Sequence, residues 1–210
     1  LIMVHGDDKG LRLPPKVATV QIVIIPIIKN ENSLAEIEKF LEPFLAELGE
    51  IGIRFKLDDR QKISPGFKFN EWEMKGVPIR VEVGPRDMES GTVFCARRDT
   101  SEKTSYKIES AASTMSQLLD EIQINMFNQA LEFREKNTFS TNNYEEFKSL
   151  IENGGFIRCG WDGNPESEAA IKKETKATIR CILLDEKITD KKCVYSGNPA
   201  KHEVIFARAY

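Results

Sequence analysis

Apolar and polar positions along this chain follow helical and strand periods in turn. From residue 34 to 48 the apolar residues recur every three or four positions, and Ser33 with Glu36 forms a capping-box pattern before them, which predicts a helix. Residues 17–28 are instead rich in β-branched side chains, which predicts a buried strand. The further predicted elements are a strand at 53–57, a helix at 65–74, a strand at 77–83, a hairpin of 92–98 with 104–108, and a long helix at 110–134. This order predicts an α/β fold with a mixed β-sheet flanked by helices.

The N-terminal residues combine a short apolar run with a dense turn signal. Residues 1–4 are apolar, and we interpret them as the continuation of a strand. The turn-forming residues that follow are Gly6, Asp7, Asp8, Gly10, Pro14 and Pro15. Because no leader pattern precedes this run, we expect the chain to be the C-terminal part of a larger protein. The predicted parts are the end of a preceding domain at 1–17, the α/β domain at 18–136, and a small α+β domain at 137–210.

The composition is that of a globular chain with room for two modest cores. It has 210 residues, of which 40% are hydrophobic and 30% charged. The longest apolar run, residues 20–28, is too short to span a bilayer, so we expect no membrane partner. The four cysteines show no close pair and fit a reducing cytosol, which predicts a cytoplasmic protein. A net charge of −3 leaves RNA binding open, because such binding depends on a local basic patch.

Four blocks of sequence carry a resemblance to a known family. They are HGDDKGLRLPPKVA, VQIVIIP, SPGFKFNEWEMKGVPIRVEVGPRDM and NPAKHEVIFARAY. In this order they resemble the C-terminal third of prolyl-tRNA synthetases of the archaeal and eukaryotic type, and the W-E-x-K-G-x-P-x-R pattern is typical of class IIa anticodon-binding domains. The three predicted parts then correspond to the end of a class II catalytic domain, an anticodon-binding domain and a C-terminal zinc-binding-like domain.

The resemblance also implies what the whole enzyme does. Members of this family activate proline with ATP and Mg²⁺ and attach it to tRNA(Pro), and they form homodimers through the catalytic domain. We therefore expect proline, ATP and tRNA(Pro) as partners, and no DNA. The catalytic residues of the family lie outside this segment, so we expect none here and no activity from the segment alone.

The candidate binding residues lie in and after the central block. Single-stranded guanine presents acceptors at O6 and N7, which suit Arg or Lys, and donors at N1 and N2, which suit a carboxylate. A mixture of acids and bases in a short segment therefore fits a site that reads guanines. Carried over from the family, the anticodon-contacting positions are Glu73, Arg80, Asp87 and Lys103. The alternative is that these are solvated charges at strand edges. Trp72 is interpreted as a core residue rather than a base-stacking one.

The C-terminal part departs from its relatives at a metal site. Many members of the family have four zinc-binding cysteines there, and Cys159 and Cys193 match only the first and third. Gly163 or Asn164 stands at the second position and Tyr195 at the fourth, and none of these can replace a thiolate. We therefore predict a degenerate site and no bound zinc. A rescued site with His202 and Asp162 is the competing idea.

An apolar core is expected to replace the metal in this part. Cys181 alternates with apolar neighbours and is predicted to be buried. The other residues predicted for this core are Ile179, Ile182, Leu183, Val204, Ile205 and Phe206.

Two other functions remain open on the sequence. The chain could belong to a synthetase-like accessory or regulatory RNA-binding protein without aminoacylation activity. A free-standing RNA-binding module is disfavoured, because the HGDDKGLRLPP block resembles catalytic-domain sequence. Intact catalytic arginines upstream would support the enzyme.

Overall fold

A computed structural model describes residues 1–28, 33–184 and 190–208. The chain forms two compact units, Leu1–Asn128 and Gln129–Tyr210. The first unit begins with a helical turn, α1 (Ile2–His5), and a small hairpin of β1 (Gly6–Asp7) and β2 (Gly10–Leu11). Its later elements are β3 (Ile22–Pro26), α2 (Ser33–Ile51), β4 (Phe55–Leu57), α3 (Pro65–Met74), β5 (Ile79–Val83), α4 (Pro85–Ser90), β6 (Thr92–Arg97), β7 (Lys103–Lys107) and the first part of α5 (Ile108–Lys136).

The large sheet of the first unit is mixed, as the sequence predicts. Its strand order is β4-β3-β5-β6-β7, with β4, β3 and β5 parallel and β6 and β7 antiparallel. One face of the sheet packs against α2 and α5 in the main apolar core, to which Ile24, Phe44 and Met115 belong. On the opposite face, α3 packs Trp72 against Val23 in a second cluster. The burial of Trp72 confirms that it is a core residue.

The second unit has its own sheet and core. After α5 come β8 (Thr138–Ser140), α6 (Tyr144–Glu152), β9 (Phe156–Trp161), α7 (Pro165–Thr175), β10 (Ala177–Ile182) and β11 (His202–Arg208). The strand order is β10-β11-β9-β8, and only the β8–β9 pairing is parallel. The two helices and the sheet enclose a core that includes Phe147, Ile157 and Phe206. This is the small α+β arrangement expected for the C-terminal part.

The strand predicted for residues 1–4 is wrong. These residues lead into the helical turn α1, and the side chains of Leu1, Ile2, Met3 and Val4 are exposed. A strand needs a neighbour to satisfy its backbone groups, whereas a turn satisfies them locally, as the bond from the His5 N–H to the Leu1 carbonyl does. The predicted strand 17–28 also begins later, at Ile22, because a turn at Pro14 holds Val17 and Ala18.

A short helix, α4, lies where the sequence predicted only the end of a strand. It has six residues and no buried side chain, so it leaves no apolar periodicity for sequence reasoning to detect. Its ends are nonetheless clear. Pro85 is the first helical residue, Asp87 accepts a hydrogen bond from the Gly84 N–H, and Gly91 ends the helix in the left-handed conformation.

The prediction that Cys181 is buried is also wrong. Cys181 and Ile182 are exposed, and Ile205 is only partly buried. The cause is position, since β10 is an edge strand of its sheet and a register shift between Ile179 and Cys181 interrupts the alternation of faces. The predicted core residues Ile179, Val204 and Phe206 do pack in the core of the second unit.

Candidate nucleic-acid interface

A row of side chains crosses the sheet of the first unit beside α3. The strand register pairs Val23 with Arg80, Arg80 with Ala96, and Ala96 with Lys103, so these four residues share one face. Together with Glu73 they line a single open pocket. Ala96 lies between Arg80 and Lys103 in this row, and its small side chain leaves space between the two basic side chains. The structure thus brings together Glu73, Arg80 and Lys103, three of the four predicted site residues.

Glu73 reaches this pocket because α3 is anchored by the residue before it. Trp72 is buried and its indole N–H donates to the Asp58 carboxylate at 2.7 Å, which turns the next residue toward the pocket. The start of α3 is equally well defined, with Ser64 as N-cap accepting from the Phe67 N–H and Pro65 in the first turn. The Glu73 side chain is 26% exposed, so its carboxylate can meet a ligand without unfolding anything.

The support under α3 is a buried ionic cluster. Asp58 is 1% exposed and accepts hydrogen bonds from Arg60 and Trp72, while Lys68 lies with its ammonium 3.6 Å from the Asp58 carboxylate and bonded to the Asp58 carbonyl. Burial raises the pKa of Asp58, but the bonds from Arg60 and Trp72 outweigh that effect and hold the pKa below its usual value. Asp58 is therefore charged at neutral pH and balances the buried ammonium of Lys68.

Arg80 is held in place from two sides. Its Nε donates to Glu82 at 2.9 Å, and its guanidinium lies 4.3 Å from the ring centre of Phe69. Only 16% of its side chain is exposed. Within the described ranges, no hydrogen bond engages its two terminal nitrogens. Because the Arg80 guanidinium is already held in place, its two terminal nitrogens can donate to a planar ligand with little further loss of side-chain entropy.

Asp87 lies elsewhere. It does not line the pocket of Glu73 and Arg80, and its carboxylate accepts from the Gly84 N–H at 2.9 Å as part of the cap of α4. Lys75, which belongs to the same acid-and-base segment, packs its ammonium 4.5 Å from the Trp72 ring centre and pairs with Glu71. Both observations favour a structural contribution for these two charges in the free chain.

The β1–β2 hairpin forms part of the pocket wall, which the sequence did not predict. Asp7 binds Arg98 through both oxygens at 2.6 and 2.9 Å, and the Arg98 Nε donates to the Glu73 carbonyl at 3.3 Å. The hydrogen bonds from Arg98 lower the pKa of Asp7 to about 2. Lys9, two residues after Asp7, also lines the pocket, and its ammonium lies 3.6 Å from the Glu73 carboxylate.

The signals for these missed residues are weak in the sequence. Asp7 and Lys9 belong to a segment that reads as a turn, and Arg98 lies more than 90 positions from Asp7 along the chain. Only the fold brings them together. The small residue at the centre of the row, Ala96, carries no charge signal at all.

The second unit offers cysteines in a poor arrangement for zinc. Cys159 and Cys193 are both buried. Burial, with a smaller contribution from the neighbouring Cys193, raises the pKa of the Cys159 thiol to about 12. Their would-be partners are engaged otherwise. Asn164 caps α7 through its side chain, and the Tyr195 ring packs edge-on against Tyr144.

Asp162 is also occupied. Its carboxylate accepts from the hydroxyls of Ser167 and Ser196 and from the Asn164 N–H, so it acts as a hydrogen-bonded bridge between segments. No group of three His, Cys, Asp or Glu side chains suited to a metal occurs in the ranges that the structure describes. The residues present therefore do not fit a tetrahedral zinc site.

We expect the purified chain to contain well under one equivalent of zinc, because two thiolates cannot close a tetrahedral shell. A chelator should leave the melting temperature unchanged. Elemental analysis with and without chelator measures both. Stoichiometric zinc that is lost in a Cys159→Ser, Cys193→Ser variant, but kept in a Cys181→Ser control, would contradict this prediction.

The pocket is a candidate binding site on the chemistry of its lining. The pocket is lined by one acidic and five basic residues and by an aromatic ring, and a second ring lies beside Arg80. The acid is Glu73, the basic residues are Lys9, Arg80, Arg97, Arg98 and Lys103, and the rings are those of Trp72 and Phe69. Such a set matches the mixed donors and acceptors of an unstacked base near a phosphate. Among the described helices, none is both long and apolar enough to cross a membrane.

Two family models match this chain, one in each unit. Residues 21–118 match the family model of the anticodon binding domain, which contains the row of Arg80, Ala96 and Lys103. Residues 144–210 match the family model described as prolyl-tRNA synthetase, C-terminal. The two matches together cover most of the chain.

Curated relatives match over the full chain. A proline–tRNA ligase of Cytophaga hutchinsonii is 52% identical over an alignment of 211 positions, which covers 100% of this chain and 43% of that protein. A proline–tRNA ligase of Porphyromonas gingivalis is 48% identical, with 100% and 43% covered, and one of Prosthecochloris aestuarii is 50% identical, with 100% and 45% covered. The chain thus spans less than half the length of the curated relatives it matches. Both family models and these relatives place the chain in the prolyl-tRNA synthetase family, as the C-terminal portion of its members.

Proposed function

We propose that this chain is the tRNA-reading portion of a proline–tRNA ligase. Residues 1–17 would be the end of the class II catalytic domain, 18–136 the anticodon-binding domain and 137–210 the zinc-binding-like domain. The proposal rests on the two family matches and on the ligase relatives that align over the full chain. In this role the chain recognises the anticodon and supports the catalytic domain.

The single observation that carries the binding role is the pocket of Glu73, Arg80 and Lys103. Proline anticodons share two guanines, and each guanine offers donors and acceptors together. In our proposal the Glu73 carboxylate accepts from the guanine N1 and N2 hydrogens, and the free nitrogens of Arg80 donate to O6 or N7. Lys103, which is exposed at the end of the row, contacts the second base or a phosphate. Asp87 would act from outside this pocket, on another part of the anticodon loop.

The complete enzyme would need parts that lie beyond this pocket. We propose that it uses ATP and Mg²⁺ to activate proline, transfers the prolyl group to tRNA(Pro), and dimerises through its catalytic domain in the cytoplasm. None of the proposed binding residues here is a nucleophile or a general acid in position to take part in that chemistry. The contribution of this chain is to bind and orient the tRNA.

An accessory RNA-binding protein of the same fold is the second candidate, since the pocket could bind RNA without any coupled catalysis. The test is proline-dependent exchange of pyrophosphate into ATP, together with proline charging of tRNA(Pro). We expect the complete protein that contains this chain to show both, and the isolated chain to show neither. Absence of both activities in the complete protein would favour the accessory role, and exchange by the isolated chain would contradict the assignment of its parts.

A further inference from the structure

The β1–β2 hairpin holds one charged side chain at the mouth of the pocket. Lys9 lies in the turn of this hairpin, and its ammonium is 3.6 Å from the nearer oxygen of Glu73. Its side chain is 59% exposed, whereas that of Glu73 is 26% exposed. The separation exceeds a normal hydrogen bond, so the two charges stand side by side with their polar atoms open to a ligand.

The position of Lys9 is fixed by the rest of the hairpin. Asp7, two residues before it, is bound through both oxygens to the buried Arg98, and also accepts from the Lys9 N–H at 2.9 Å. Gly10, one residue after it, lies directly against the backbone of Met74, where a Cβ would come within 2.4 Å of the Met74 Cα. Its φ of +124° also favours glycine there. The backbone on both sides of Lys9 is therefore docked on the end of α3 that carries Glu73.

We propose that Lys9 reads guanine together with Glu73, as a specificity residue contributed by the segment that precedes the anticodon-binding fold. This inference rests on the proposed function of the pocket. On the Watson–Crick edge of guanine, O6 is the neighbour of N1–H, and N1–H is the neighbour of the 2-amino group. A carboxylate that accepts from N1–H and the 2-amino group leaves O6 beside it, where an adjacent ammonium donates to it.

The same pair discriminates against adenine. Adenine presents an amino donor where guanine has O6, and an acceptor where guanine has N1–H. Lys9 would then face a donor and Glu73 an acceptor, so both groups would be left without partners in the complex. The pair of charges thus matches guanine and opposes the other purine.

Within the part of the chain that the structure describes, the Lys9 side chain makes one ion pair, with Glu73. An exposed pair at this distance contributes little to stability, and the docking of the hairpin is carried by Asp7, Arg98 and Gly10. A Lys9→Met variant should therefore fold as the parent does. Lys16, which is exposed in the same segment and does not line the pocket, provides a matched control through Lys16→Met.

The experiment uses the 210-residue chain and three kinds of synthetic proline anticodon stem-loop. The first has its natural guanines. In the second, each guanine in turn is replaced by 2-aminopurine, which lacks O6 and the N1 hydrogen. In the third, each is replaced by inosine, which keeps both but lacks the 2-amino group. Dissociation constants are measured at one fixed salt concentration, because affinity for RNA changes steeply with salt.

We expect Lys9→Met to weaken binding of the guanine loop by about tenfold, as for loss of one charged hydrogen bond. In this variant, replacing guanine by inosine should weaken binding as much as it does in the parent, because the 2-amino group faces Glu73. Replacing guanine by 2-aminopurine should weaken binding less than in the parent, because the contact to O6 is already lost. Lys9→Arg should restore most of the affinity. Lys16→Met should change every loop by less than about twofold.

Two results would overturn the inference. The first contradicts the role of Lys9 alone, and the second contradicts the proposed function of the pocket as well. If the parent chain prefers guanine but Lys9→Met behaves like Lys16→Met with all three loops, Lys9 does not read the base and the proposed function stands. If the parent chain does not distinguish guanine from the two analogues, the pocket is not a guanine reader, and both proposals fail together.

Discussion

Replacing Glu73 with glutamine in the 210-residue chain should lower its preference for guanine over adenine in a proline anticodon stem-loop by about 1–3 kcal/mol. The amide keeps the size of the side chain but offers only one acceptor oxygen and adds donors that face the N1 and N2 hydrogens. The dissociation constants of the two loops at fixed salt measure the change. Arg80→Lys should have an effect of similar size, because it keeps the charge and loses the two-donor fork.

A matched control separates recognition from folding. Glu89 is exposed on α4 and does not line the pocket, so Glu89→Gln should leave both dissociation constants unchanged. The melting temperature of the Glu73→Gln chain should stay near that of the parent, since among the described residues the Glu73 side chain makes a single ion pair, with the exposed Lys9. Equal loss of affinity for both loops would mean that Glu73 supports the structure of the pocket and does not read the base.

Removal of the Asp58 carboxylate, which lies under α3, should strongly destabilise the first unit. Asp58→Ala leaves the buried ammonium of Lys68 without its counter-charge and the Trp72 indole without its acceptor. We expect the free energy of unfolding to fall by about 3–5 kcal/mol. Denaturation in urea, followed by the fluorescence of Trp72 in a Trp161→Phe background, measures this loss in the first unit alone.

The neighbouring residue supplies the control for this prediction. Asp59 is exposed, so Asp59→Ala should change the free energy of unfolding by less than about 0.5 kcal/mol. Adding Lys68→Met to Asp58→Ala should recover part of the loss, because the uncompensated buried charge is then gone. No recovery, or an equal effect of the two aspartate substitutions, would show that the cluster does not stabilise α3.

The sequence predicts the elements that are long or have clear ends. A helix was predicted within residues 65–74, which are the observed bounds of α3, and a long helix was predicted at 110–134, where α5 lies. The elements that it misses lack such signals. Helix α4 has six residues and no fully buried side chain, and α1 is a single helical turn of four residues.

In the candidate site, the residues that belong to a sequence motif were predicted, and those placed by contacts between distant segments were not. Glu73 and Arg80 were predicted from a motif in which they stand seven positions apart, and the structure brings them to one pocket with Lys103. Lys9 and Arg98 were not predicted, because their places depend on an ion pair between distant segments and on the close approach of Gly10 to α3. Cys181 shows the reverse error, since its alternating pattern suggested burial and the edge position of β10 exposes it.

The most direct test of the central claim is the affinity of the unmodified chain for two RNAs at one salt concentration. One is the proline anticodon stem-loop, and the other is the same stem-loop with both shared guanines replaced by adenine. If the pocket of Glu73, Arg80 and Lys103 reads guanine, the first should bind at least about tenfold more tightly than the second. Equal dissociation constants for the two stem-loops would contradict the claim that this chain reads the anticodon.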